Sequence, residues 1–72
     1  MKTEISAEVS ANVWKVLVKT GQDVSEGDTL VILECMKMEV PVEASAAGKI
    51  ASLSVAEGDA IEEGSLIAVI ES

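Results

Sequence analysis

The chain contains one pattern twice. Residues 13–34 align without gaps on residues 50–71 at a constant shift of 37, so that Val13 falls on Ile50. The aligned positions hold matching glycines and matching apolar residues, and both stretches end in two apolar residues followed by a glutamate. Such repetition is typical of one structural unit used twice. The sequence therefore predicts two similar halves related by a pseudo-twofold axis.

Each half has the composition of short β-strands. A strand, a glycine turn, a short strand, a second glycine turn and another strand follow one another, and β-branched residues dominate the strand positions. Apolar and charged residues alternate where Val40 and Val42 are flanked by Glu39 and Glu43. No window of helical length keeps an apolar period of 3.6 residues, so little or no helix is expected.

Many short strands in so small a chain would leave unpaired edges exposed to other chains. Packing the two halves against each other covers most of these edges. We therefore predict an all-β fold, a flattened β-barrel or sandwich (a barrel-sandwich hybrid) of two pseudo-twofold related halves. The 72 residues are too few for two independent cores, so residues 1–72 are expected to form a single domain.

Two residue types invite either a structural or a binding interpretation. Trp14, the only aromatic residue, shares strand parity with Val16 and Val18, which predicts a place in the core; stacking on a ligand is the alternative. Glycine-rich turns can hold phosphate groups, but none of these glycines opens a helix and acidic residues surround them. They are interpreted as turn residues.

The composition excludes several classes of function. The chain has one cysteine and no histidine, so it has no internal disulfide and no imidazole for catalysis or metal binding. Cys35, the one thiol, has no histidine to activate it, and we predict no catalytic residues and no metal site. A net charge of −8 without any arginine disfavours nucleic acid. Without an apolar stretch of about 20 residues, neither a membrane span nor a leader is expected, and a cytoplasmic monomer is predicted.

Between the two halves lies the segment Glu-Cys-Met-Lys-Met-Glu, residues 34–39. A hairpin with Met36 and Lys37 as a two-residue turn would pair Cys35 with Met38 and place apolar residues opposite one another further along. Such turns favour Asn-Gly or Asp-Gly, so Met-Lys is a poor choice for stability. Two interpretations remain at this stage. Either something outside the fold requires this turn, or Lys37 is a solvated turn lysine with both methionines packed on the core.

The segment resembles the Met-Lys-Met biotinylation motif of biotinyl domains, the carriers of biotin-dependent carboxylases. The resemblance extends over nearly the whole chain. The stretches Gly21–Gly27 and Gly58–Gly64 are equal in length, as in the simpler type of biotin carboxyl carrier without a thumb loop. The chain departs from the family at Cys35, where Ala or Ser is usual, and at Ala11, where a turn glycine is common.

The resemblance implies that biotin is bound covalently to Lys37, with Met36 and Met38 as the flanking modification motif. It implies a biotin protein ligase as the loading enzyme, and biotin carboxylase and carboxyltransferase subunits as the partners between which carboxyl groups are carried. One alternative is a lipoyl carrier, which shares the design but usually flanks its lysine with Asp and a small residue. The other is an unmodified interaction module of the same fold.

Overall fold

The computed structural model describes residues 1–72 as eight β-strands joined by turns. The strands are β1 (Lys2–Ser6), β2 (Ala11–Val16), β3 (Asp23–Val24), β4 (Thr29–Cys35), β5 (Met38–Glu43), β6 (Gly48–Leu53), β7 (Ala60–Ile61) and β8 (Leu66–Glu71). The molecule measures 33 × 17 × 17 Å. It has no helix long and apolar enough to cross a bilayer.

The strands form two four-stranded antiparallel sheets with the orders β1-β8-β6-β3 and β5-β4-β2-β7. The two orders are related strand by strand: β1 corresponds to β5, β8 to β4, β6 to β2 and β3 to β7. Each sheet therefore contains strands from both halves. The predicted all-β fold with pseudo-twofold symmetry is confirmed, and its form is a sandwich rather than a closed barrel. The symmetry extends beyond the repeat visible in the sequence, because β1 corresponds to β5.

The core between the sheets is small and entirely apolar. No polar or charged residue is buried, and no buried polar side-chain atom lacks a hydrogen-bond partner. The most deeply buried large side chains come from both halves: Val13, Leu30, Val31, Leu33, Ile50, Ile67 and Ile70. Ala7 and Ala44, which the twofold axis relates, are each only 3% exposed. The side-chain packing in the core therefore follows the same pseudo-twofold symmetry as the backbone.

Glycine turns hydrogen-bond each half to the other. The backbone N–H of Gly21 donates to the carbonyl of Ile50, and the N–H of Gly58 donates to that of Val13, both at 2.8 Å. Gly21 and Gly58 have φ of 92° and 93°, a region that residues with a Cβ rarely adopt. Their interpretation as turn residues is confirmed.

The predicted core position of Trp14 is wrong. Val13 pairs with Leu33, but the next paired residue, Lys15, is opposite Ile32, so Trp14 is the extra residue of a β-bulge. The bulge reverses the alternation of side chains along β2, and Trp14 turns outward with 44% of its surface exposed. Parity counted back from Val16 fails because it assumes an uninterrupted strand.

Gly48 begins β6 where the backbone of β8 passes very close. A Cβ at this position would lie 2.6 Å from the carbonyl oxygen of Glu71 and 2.8 Å from Cγ2 of Ile70. We expect Gly48→Ala to lower the free energy of unfolding by about 1–3 kcal/mol, because backbone atoms must shift to accept the methyl group. Urea denaturation measures the change. The control is Ala51→Gly at an exposed position of the same strand, and an equal loss there would contradict the steric explanation.

Candidate functional site

The hairpin of β4 and β5 has the predicted register. Cys35 pairs with Met38, Leu33 with Val40, and Val31 with Val42. The last two pairs anchor the hairpin to the core, since Val31 and Leu33 are fully buried and their partners on β5 are half-buried. The two residues left between the strands are Met36 and Lys37. The turn is therefore held by a strand pair that cannot shift without exposing the core.

Met36 and Lys37 have φ of 53° and 66°, and they are the only residues other than glycine with positive φ. Positive φ at both central positions defines a type I′ turn, whose twist matches that of the strands it joins. Each such residue costs on the order of 1 kcal/mol or more when it is neither Gly, Asn nor Asp. The turn at Met36 and Lys37 is thus conformationally strained, and Asn-Gly at these two positions would relieve the strain.

The side chains of the turn project away from the core. Met36 is 89% exposed, Met38 is 66% exposed, and Lys37 is exposed. The interpretation of Met36 and Met38 as core fillers is therefore wrong. Two apolar side chains flank a primary amine at the end of the hairpin, and neither contributes to the hydrophobic core.

The polar side of the hairpin carries two like charges beside the turn. Glu34 and Glu39 are paired across the strands, as the predicted register requires, and both are exposed. Like charges at directly opposite positions of an antiparallel pair are destabilising. The Lys37 ammonium group is the nearest cation in sequence. The tip thus combines an amine, two thioethers and two carboxylates.

No cavity lies at the tip. One surface recess, about 380 Å³, lies between the edge strands β1 and β5 and is lined by residues including Glu4, Ile5 and Pro41. None of residues 35–38 lines it. No group of three histidine, cysteine, aspartate or glutamate residues is placed to hold a metal ion. Lys37 could therefore hold a cofactor through a covalent bond to its amine, whereas the tip offers no enclosed site for noncovalent binding.

Comparison with known proteins assigns the chain to a family. The family model described as "Biotin-requiring enzyme", which covers biotin and lipoyl attachment, matches residues 2–70. The chain belongs to the biotin/lipoyl attachment family. It is 52% identical over 71 residues to the biotinylated protein TB7.3 homolog of Mycolicibacterium smegmatis, covering 99% of this chain and all of that protein.

Two other relatives bear on the type of attachment domain. The biotin/lipoyl attachment protein of Bacillus subtilis is 38% identical over 63 residues, which are 88% of this chain and 86% of that protein. The structure of the urea carboxylase of Kluyveromyces lactis superposes with a TM-score of 0.92 at 34% identity. The match covers 99% of this chain but only 6% of that enzyme. This attachment domain is thus homologous to the carrier domains of biotin-dependent carboxylases, and such a domain is a carrier and not a catalyst.

The three residues predicted for the attachment motif are consecutive in the chain, and the structure shows them at one exposed turn. Met36, Lys37 and Met38 lie at or beside one two-residue turn. What the sequence did not indicate is the outward position of Trp14, because a bulge depends on the pairing of β2 with β4. The only sequence signal was the symmetry-related position, where the chain has the small residue Ala51.

The pair Glu34 and Glu39 provides a test of the tip electrostatics. We expect Glu39→Gln to raise the free energy of unfolding by a few tenths of a kcal/mol, because it removes a like-charge pair. Urea denaturation at low ionic strength measures it, since at about 0.15 M salt charges are screened beyond about 8 Å. The control is Glu71→Gln, whose cross-strand partners are Lys2 and Lys49, and which should lower stability. Stabilisation by both changes would contradict the electrostatic explanation.

Proposed function

We propose that this domain is a biotin carboxyl carrier that is biotinylated on Lys37 and carries carboxyl groups between biotin carboxylase and carboxyltransferase sites. The observation that supports the proposal best is the exposed Lys37 in a strained type I′ turn between two exposed methionines. Neither the strain nor the exposed thioethers stabilise the domain. Both are explained if other proteins must recognise and handle this turn.

Lys37 takes part in loading as a nucleophile. The Lys37 ammonium group must first lose one proton to become the attacking amine. Its Nζ atom would then form an amide bond to the carboxyl carbon of biotinyl-adenylate, which the ligase makes from biotin and ATP; AMP leaves from that carbon, and a second proton leaves the nitrogen. The chain has no histidine, and the acidic side chains nearest in sequence, Glu34 and Glu39, are exposed carboxylates. We therefore expect the biotin protein ligase to provide the base that activates the amine, and both protons leave to the ligase or to solvent. The product is a neutral amide, so loading removes one positive charge from the tip.

After loading, the chain's task is to present the arm. Bound biotin supplies a ureido nitrogen that accepts and releases a carboxyl group. The paired strands β4 and β5 fix the base of the arm, while the lysyl side chain extends into solvent. Tethering makes each transfer effectively intramolecular, with local concentrations of about millimolar for short flexible links. A small domain with an exposed tip can enter two active sites in turn.

The surrounding system is proposed on the same basis. We expect the domain to act in the cytoplasm as a monomer, with a ligase and two carboxylase subunits as its partners. A lipoyl carrier is the second candidate, because one relative is named for either attachment. The residues beside Lys37 favour biotin, since methionine stands on both sides where lipoyl domains usually have Asp and a small residue.

The position of the acceptor can be tested directly. After co-expression with a biotin protein ligase, Lys37→Arg should abolish biotinylation while the free energy of unfolding stays within about 0.5 kcal/mol, because this exposed side chain makes no core contact. Arginine keeps the charge but cannot form the amide. Intact mass and avidin binding measure the modification. Lys49→Arg, at another exposed lysine, is the control and should be modified fully; biotin retained on Lys37→Arg would refute the assignment.

The two methionines should matter for recognition and not for stability. Replacing both Met36 and Met38 by leucine should leave the melting temperature within a few degrees, because both side chains are exposed. We expect slower biotinylation, or slower carboxylation once the domain is loaded. Enzyme kinetics and thermal denaturation measure the two effects separately. Unchanged kinetics together with a large loss of stability would mean that the methionines serve the fold.

A further inference from the structure

The outward surface of the sheet β5-β4-β2-β7 differs from its symmetry-related counterpart. We call this surface the hairpin face and define it by Glu34 and Glu39 near the turn, and by Trp14, Lys15, Ile32 and Pro41 behind them. The corresponding surface of the other sheet is the control face, with Glu71, Lys2, Ala51, Ser52, Val69 and Glu4 at the related positions. Since the backbone is the same, the comparison isolates the side chains.

The first difference is an apolar row across the hairpin face. Pro41 is paired with Ile32, Ile32 is paired with Lys15, and Trp14 lies in the bulge beside them. Trp14 and Pro41 are exposed and Ile32 is half-buried. The Lys15 ammonium nitrogen lies 5.2 Å from the centroid of the Trp14 ring, a cation–π contact. Leu17, which directly follows β2, is also apolar and is 48% exposed.

The control face has no such row. Its bulge has Ala51 where the hairpin face has Trp14, and its neighbouring positions hold Ser52, Val69 and Glu4. Ser54 stands where Leu17 stands. Both faces keep the same bulge and the same core behind it. The large apolar side chains on the hairpin face are therefore not required by the sandwich, which folds the other sheet without them.

The second difference is the row of charges nearer the turn. On the control face Glu71 is paired with Lys2 on one side and with Lys49 on the other, so opposite charges meet across the strands. On the hairpin face Glu34 is paired with Glu39 and with the uncharged Asn12. Two carboxylates thus remain uncompensated. A partner surface with cations beside an apolar area would complement both the carboxylate row and the apolar row of the hairpin face.

The loading reaction needs a recognition surface of this kind. The chain has five lysines, and all of them are exposed. A ligase that modifies Lys37 alone must therefore recognise its surroundings. A stable interface buries about 800 Å² on each partner, more than a two-residue turn with its flanking side chains can offer. Contact must spread from the tip onto the neighbouring surface.

We propose that the hairpin face is the docking surface for the biotin protein ligase, with Trp14 as its main anchor. The proposal rests on the proposed function of Lys37. The ligase surface should have an apolar recess for Trp14 and Ile32 and basic side chains opposite Glu34 and Glu39. Ile32 lies three residues before the end of β4, about 10 Å along the strand, so the ligase would contact the domain at a distance from the reacting amine.

A second copy of the chain is a poor occupant of this surface. Each copy has a net charge of −8, and a symmetric contact would bring the Glu34 and Glu39 pairs of both copies together. No compensating cation row is available, since Lys15 already lies over its own Trp14 ring. Charge complementarity therefore favours a partner with a basic rim.

The test is the kinetics of biotinylation by a biotin protein ligase with biotin and ATP, at varied concentrations of the unmodified domain. We expect Trp14→Ala and Ile32→Thr each to raise KM for the domain about tenfold or more, with kcat unchanged, as for truncation of a central interface residue. The matched controls on the control face, Ala51→Ser and Val69→Thr, should leave KM within twofold. Thermal denaturation of every variant establishes that it is folded.

The outcomes separate the two proposals. If Trp14→Ala and Ile32→Thr keep the KM of the unaltered domain, or if Val69→Thr raises KM as much as Ile32→Thr does, the docking surface is refuted. A concentration-dependent dimer that is lost in Trp14→Ala would also refute it, in favour of self-association. If the unaltered domain is not biotinylated at all, the proposed function fails first. Should Trp14→Ala not fold, Ile32→Thr and its control Val69→Thr decide the result.

Discussion

The structure depends on apolar packing between two sheets that each contain strands from both halves of the chain. The core is limited to small and medium aliphatic side chains, so neither half could bury enough surface alone. Hydrogen bonds from Gly21 to Ile50 and from Gly58 to Val13 join the halves at equivalent places. Because the two halves complete each other, the domain is expected to unfold as one cooperative unit.

This mutual dependence explains how a strained turn can persist at the hairpin. Val31 and Leu33 are fixed in the core, and they fix β5 through the pairs they make with Val42 and Val40. The turn between the strands must then close in two residues, whatever their identity. The conformational cost at Met36 and Lys37 is small beside the packing that β4 contributes. The fold therefore does not dictate which two residues stand at the turn, and recognition by other proteins can determine them.

The repeat and the apolar alternation were sufficient to predict the sandwich, the hairpin register and the residues at the turn. The pairing of Glu34 with Glu39 followed from the same register. The sequence did not show that the symmetry also relates β1 to β5. Few of the side chains in these two strands match, even though their backbones correspond. The position of Trp14 was mispredicted since a bulge is a property of two paired strands, and local parity in β2 contains no information about β4.

The ends of the chain meet at the position that the pseudo-twofold axis relates to the hairpin turn. The Met1 ammonium group donates to the Ser72 carbonyl at 2.8 Å, and the Ser72 N–H donates to the Met1 carbonyl at 2.9 Å. The related residues Met38 and Cys35 are paired across the hairpin. The turn that contains Lys37 and the paired termini therefore lie at symmetry-related positions of a molecule 33 Å long. Polypeptide joined at either terminus would therefore pull on the pair of β1 and β8, and not on the hairpin of β4 and β5 that contains Lys37.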